Sequence, residues 1–147
     1  MAGKAGEGGV GPPPGFVPIV HGAPFGALIG PIYEKPAEAG AIRGFRVAPK
    51  HTNARGWIHG GMLTTFADIV LAQVAFRSGV GRLVTVRLVT DFVANARTGD
   101  WVEGRARVTH RARTLVFISG EITAGARVLM TASGIFKVLD GAGGMGS

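Results

Sequence analysis

From Gly60 to Phe76 the apolar residues Leu63, Phe66, Ile69, Val70 and Val74 recur at i, i+3, i+4 and i+7, and no proline interrupts them. That spacing predicts one helix with a strongly apolar face. The run stops before Ser78-Gly79-Val80-Gly81, with Arg77 in its last turn, where a cation complements the helix dipole. With His59 as N-cap, Ile58 and Leu63 occupy the two positions of a hydrophobic staple.

After Arg82 the pattern changes. Leu83–Ala94, Trp101–His110, Leu115–Thr123 and Val128–Leu139 are rich in Val, Ile, Thr and Phe. Breaks fall at Thr98-Gly99-Asp100, Arg111–Thr114 and Gly125-Ala126, which predicts an antiparallel meander with tight turns. In Trp101–Thr109, Val102, Gly104, Ala106 and Val108 face one way and Glu103, Arg105 and Arg107 the other. The small residues at 104 and 106 leave room for something bulky on that face. Upstream, Ile42–Ala48 reads as a strand, Ile32–Lys35 as a short edge strand, and Phe16–Pro31 as a loop with a helical turn. One long helix before four long strands predicts an α+β domain over residues 16–139, with a sheet of five or six strands curled around a central helix. Residues 1–15 and 140–147 read as flexible tails.

Composition narrows the function. The 147 residues are enough for one domain with its own core, and 46% hydrophobic against 17% charged residues excludes wholesale disorder. The absence of cysteine excludes disulfides, thiolate metal sites and Cys nucleophiles. His21, His51, His59 and His110 lack metal-ligand spacing, so no metal and no cofactor is expected. No apolar run approaches the ~20 residues that span a bilayer, and no signal pattern opens the chain, so no membrane association and a cytoplasmic location are expected. A formal charge of +7 raises the question of nucleic acid. The arginines are spread without a basic run and no nucleic-acid motif is present, so the charge better suits the phosphates of coenzyme A or a nucleotide.

Asp68 stands between Phe66-Ala67 and Ile69-Val70-Leu71, with no other carboxylate from Glu38 to Asp91. Burying a carboxylate on such a helix is costly unless it is hydrogen-bonded or functional. The plainer reading is an exposed residue on a polar stripe with Thr64 and Gln73. Gly60-Gly61 weakens the first helical turn by roughly 1 kcal/mol per residue relative to Ala, a loss explained if backbone N–H groups must approach a ligand. Gly61 and Asp68 are two turns apart, ~10 Å along the axis, whereas a base and an oxyanion donor must both reach ~3 Å from one reacting group. Two antiparallel helices related by a two-fold axis satisfy this, with Gly60 of one chain facing Asp68 of the other. Asn53 reads as a turn-former before Gly56 or as a group positioning water or a thioester. Thr85 reads as an ordinary strand residue or as a hydroxyl steadying a carboxylate or water. His59 is an N-cap, a loop-orienting group, or a base without a visible partner.

The run Arg46-Val47…His51-Thr52-Asn53…Gly56…His59-Gly60-Gly61-Met62…Phe66-Ala67-Asp68, continued by Thr85-Val86-Arg87-Leu88…Phe92, Gly99-Asp100 and Arg113-Thr114-Leu115, resembles the PaaI-like hotdog-fold acyl-CoA thioesterases of the 4-hydroxybenzoyl-CoA thioesterase superfamily. The resemblance covers approximately residues 25–139. It implies a hotdog fold and hydrolysis of an acyl-CoA thioester, with Asp68 as base or nucleophile and the Gly60 N–H polarising the carbonyl. On the same footing Asn53 and His59 orient water, the carbonyl and the loop, and Thr85 lies near the acid. For coenzyme A it points to Gly61, Phe92, Val93 and Arg97, and to the turn carrying His110, Arg111, Arg113 and Thr114. It also implies a homodimer or homotetramer. Asn95, where many relatives carry Pro, and Asp91 within a strand depart from the pattern. Phe66, Leu71, Phe92 and Trp101 are the candidates for setting pocket depth. The alternative is a non-catalytic acyl-CoA or nucleotide-binding hotdog module. The His-centred and Asp-His signatures of hotdog dehydratases and hydratases are absent.

Overall fold

The computed structural model describes residues 11–20 and 23–139. Strands β1 (Val17–Pro18), β2 (Tyr33–Ala37), β3 (Gly40–Arg46), β4 (Leu83–Phe92), β5 (Trp101–Arg111), β6 (Leu115–Ala124) and β7 (Arg127–Val138) form one antiparallel sheet in the order β1-β2-β3-β5-β6-β7-β4. Among the described residues two α-helices accompany it, the short α1 (Pro24–Ile29) and the long α2 (Gly60–Ala75). This is the hotdog arrangement, with α2 in the curl of the sheet.

Small residues on the sheet's inner side make the seat for α2. Ala106 pairs with Gly120, which pairs with Ala132, and Ile118 pairs with Gly134. A Cβ on Gly104 would lie 2.5 Å from Val70 Cγ2, and one on Gly120 would lie 3.0 Å from Leu71 Cδ1. The bulky element expected against positions 104 and 106 is therefore the helix itself. Phe66, Ala67, Val70, Leu71 and Ala75 are completely buried. One stripe of α2 escapes this seat: Thr64, Thr65, Asp68, Ile69 and Ala72 are only partly buried.

Three details differ from the expectation. The sheet has seven strands, not five or six, because a two-residue β1 pairs with β2. That pairing takes β2 off the edge; two residues ending in Pro carry no periodicity to announce it. Of the four long strands only β5, β6 and β7 form a simple meander, since β4 pairs with β7 instead of β5. The link from β4 to β5 is no tight turn: Ala96 is buried, its carbonyl accepts the Ile58 N–H at 2.8 Å, and Trp57 bridges to Arg97. The tails expected at 1–15 and 140–147 lie outside the described residues, except that residues 11–15 run beside Arg46 and Trp101.

A buried histidine fixes α1 to the rest. In the turn Pro49–His51, the His51 Nδ1 accepts the Ala48 N–H at 2.9 Å, so its proton belongs on Nε2, which donates to the Ile29 carbonyl at 2.7 Å. Burial pushes the His51 pKa below its usual value. The unfolded chain then binds a proton near the ordinary pH of about 6.5 while the folded chain does not, so this contribution is present above that pH and is lost as pH falls. Urea midpoints should drop between about pH 7.5 and 5.5, and His51→Gln should flatten that slope while lowering the midpoint at neutral pH. A variant with the wild-type slope would show that another group is responsible.

Candidate active site

The loop entering α2 is a tight hairpin held by its own side chains. Asn53 Oδ1 accepts the N–H groups of Arg55 (2.9 Å) and Trp57 (3.2 Å), and Thr52 bridges to Ile58. Gly56 turns the chain at φ +85°, a conformation that favours glycine. The Asn53 carbonyl oxygen thus builds the loop, and its NH₂ has no acceptor among the described residues.

His59 caps α2 in an extended conformation, its Nδ1 accepting the Gly61 N–H at 2.7 Å. The Gly61 N–H is therefore occupied. The Gly60 N–H, at the first helical position, has no acceptor among the described residues, as expected for an orphan donor at a helix start. The Phe92 ring lies across this end of the helix: a Cβ on Gly60 would sit 3.1 Å from Phe92 Cε1.

Asp68 lies on the uncovered stripe of α2. Its Oδ1 accepts the Thr85 hydroxyl at 2.8 Å, and Oδ2 has no protein donor among the described residues. This contact depends on a β-bulge between Thr85 and Arg87. Leu83 and Thr85 before the bulge and Leu88 and Thr90 after it are the half-buried residues, so the extra residue lets both halves of β4 present side chains to the helix. Around Asp68 opens a trough of about 690 Å³, with α2 as its floor and Leu83, Leu88 and Phe25 in its walls. At its far end Arg43 pairs with Glu34 at 3.1 Å, and Gln73 donates to the Ala41 carbonyl at 2.7 Å. Burial lowers the Arg43 pKa while Glu34 raises it, and the guanidinium stays cationic.

Within one chain the candidates fall into separate groups. Asp68 and Thr85 touch, whereas Gly60 lies about 12 Å from Asp68 along the helix axis, at 1.5 Å per residue. Arg97 stacks its guanidinium 4.2 Å over the Trp57 ring, near the start of α2, and Phe92 and Val93 are exposed close by. His110, Arg111, Arg113 and Thr114 lie near the opposite end, where Arg111 donates to the Ser78 carbonyl at 3.4 Å and His110 packs on Phe117. Phe66 and Leu71 face the sheet, fully buried, and Trp101 packs against Phe16 and Tyr33, so none of these three lines the trough. Helical periodicity alone marks Phe66 and Leu71 as apolar without saying which side the sheet covers. Phe25, which does line the trough, has one signal in the sequence, the apolar run Pro24–Ile29, too short to show a polar face. A larger hollow of about 900 Å³, between residues 11–14 and Trp101, holds none of the candidate catalytic groups.

Residues 55–131 match the profile of the thioesterase superfamily. A protein of Pseudomonas aeruginosa, provisionally named an esterase, is 36% identical over 129 residues, covering 86% of this chain and 96% of its own. The PaaI protein of E. coli, from the phenylacetic acid degradation operon, superposes with a TM-score of 0.75 at 21% identity, over 82% of this chain and 88% of that one. A hypothetical thioesterase of Streptococcus pneumoniae, solved with coenzyme A, gives 0.69 at 21% identity, over 73% and 84%. At those identities the two structures speak for the fold.

Proposed function

The chain belongs to the thioesterase superfamily, and from that footing we propose that it hydrolyses an acyl-CoA thioester to the free acid and coenzyme A, at a site shared by two copies of the chain. The observation that carries this reading is Asp68: a carboxylate steadied by Thr85, with one oxygen unengaged, at the side of a largely apolar trough. A carboxylate so placed either takes the proton of an attacking water or attacks the carbonyl itself, and both routes need its charge. Negative charge then develops on the carbonyl oxygen. The unengaged N–H of the partner's Gly60, at a helix N-terminus, is the donor suited to it. Collapse of the tetrahedral intermediate breaks the C–S bond and releases the coenzyme A thiolate. In the first route the thiolate takes back the proton held by Asp68 and the free acid is left. In the second an acyl anhydride on Asp68 remains, which water hydrolyses to the acid. The Asn53 NH₂ and the His59-capped loop orient water and the carbonyl.

Two features favour the two-fold arrangement. β4 is an edge strand with Val84, Val86 and Val89 exposed, a template for pairing with a second copy. Antiparallel α2 helices also carry the Arg97 end of one chain toward the Arg111 and Arg113 end of the other, drawing together the arginines proposed for the coenzyme A phosphates. A cytoplasmic location goes with this reading.

The test is thiol release. Purified protein incubated with aryl, short-chain and long-chain acyl-CoA esters should liberate free coenzyme A from at least one class. Thermal stabilisation by these esters with no thiol released would assign a binding module instead.

A further inference from the structure

Besides the Asp68 trough, a second hollow of about 260 Å³ opens on the other side of α1, next to His59, Gly61 and Met62. Two residues line both hollows, Thr65 on the floor and Phe25 above it. We infer that Phe25 is the partition between them and sets the length of the acyl group the site accepts, an inference that rests on the acyl-CoA reading above.

The placement of Phe25 supports this role. The ring is 58% exposed and, as a residue that lines both hollows, leaves one face open to each. It stands on the first turn of α1, where Ala23 provides no side-chain cap, and the only residue α1 buries is Gly26. The other end of α1 is held: His51 binds the Ile29 carbonyl and Lys50 the Gly30 carbonyl. The helix is thus anchored at its C-terminus and carries Phe25 at the less restrained end, above the uncovered stripe of α2. An apolar acyl group entering the trough beside Asp68 runs along Ile69 and the walls until it meets this ring. The space behind the ring, about 260 Å³, exceeds the ~150 Å³ that accommodates a benzene molecule. Removing the ring therefore joins a subsite large enough for several methylenes. The substrate class that follows is an acyl-CoA with an apolar chain or ring bounded by Phe25.

The experiment compares kcat/KM for butanoyl-, octanoyl- and dodecanoyl-CoA in the wild type, Phe25→Ala and Phe25→Trp. Each additional buried methylene is worth about fourfold, so Phe25→Ala should raise the dodecanoyl-to-butanoyl ratio by about tenfold or more, and Phe25→Trp should lower it. Because the side chain is exposed, neither variant endangers the fold. Wild-type turnover with ratios that stay within about twofold in both variants, or that fall for Phe25→Ala, overturns the partition while leaving the thioesterase reading in place. A wild type that releases no coenzyme A from any of the three or from aryl esters overturns both.

Discussion

Asp68→Ala should lower kcat for thioester hydrolysis by about 10⁴-fold, the upper end of what a positioned acid–base group supplies, with little change in fold. The size of the effect follows from the isolation of this carboxylate. Among the described residues lining the trough, Asp68 is the only acid, so no neighbour can take over its role. Its loss leaves the Thr85 hydroxyl without its acceptor, but both groups are only partly buried, and the core beneath them is formed by Phe66, Ala67, Val70 and Leu71. Circular dichroism and the denaturation midpoint should therefore stay close to wild type. Asp68→Asn separates charge from shape. An amide oxygen at Oδ1 still accepts from Thr85, yet it neither deprotonates water nor attacks a thioester, so its kcat should fall nearly as far. A variant at Asp68 with undiminished turnover would remove this residue from the mechanism.

The second large effect concerns a backbone atom. Gly60→Pro deletes the unengaged N–H while disturbing little else. Proline is well tolerated at the first position of a helix. The preceding residue, His59, has φ −72° and ψ 136°, within the region a residue before proline prefers. The added ring carbons meet Phe92, whose exposed side chain can move aside. Loss of one oxyanion donor costs about 10²- to 10³-fold in kcat, and KM should change much less, since the donor acts mainly on charge that develops in the transition state. Gly60→Ala is the control: it adds a comparable contact with Phe92 but keeps the N–H, so it should retain most of the turnover. Equal losses in the two variants would mean that the Phe92 contact, and not the N–H, explains the effect.

How far the sequence revealed this molecule depended on how local each determinant is. The helix α2 was legible because its apolar period persists over four turns, and the strand spans from Leu83 onward because β-branched runs end at glycine-bearing turns. The seat of small residues at 104 and 106 was visible for the same reason. The strand order was not, because the position of β4 beside β7 depends on contacts of the 93–100 link with Val47 and Ile58 that lie far away in the sequence. Asp68 stood out by the contrast between a carboxylate and its apolar neighbours. Its contact with Thr85, seventeen positions on, required a bulge that no periodicity displays. Asn53 admitted two uses from sequence, and the structure shows its oxygen engaged in the turn while the amide stays open. None of the pocket-depth candidates Phe66, Leu71, Phe92 and Trp101 lines the trough, and for Phe66 and Leu71 the reason is that the sheet decides which side of the helix is covered.

If each site takes Asp68 from one chain and Gly60 from the other, mixed dimers reveal it most directly. Asp68→Ala and Gly60→Pro proteins, each nearly inactive alone, are unfolded together and refolded at equal concentration. A hybrid contains one intact site, joining the Asp68 of one chain to the Gly60 of its partner, and one doubly defective site. With half the dimers hybrid and one of two sites intact in each, recovered activity should approach about a quarter of wild type. No recovery, with hybrids demonstrated by mass spectrometry, would place both groups in the same chain's site and contradict the account.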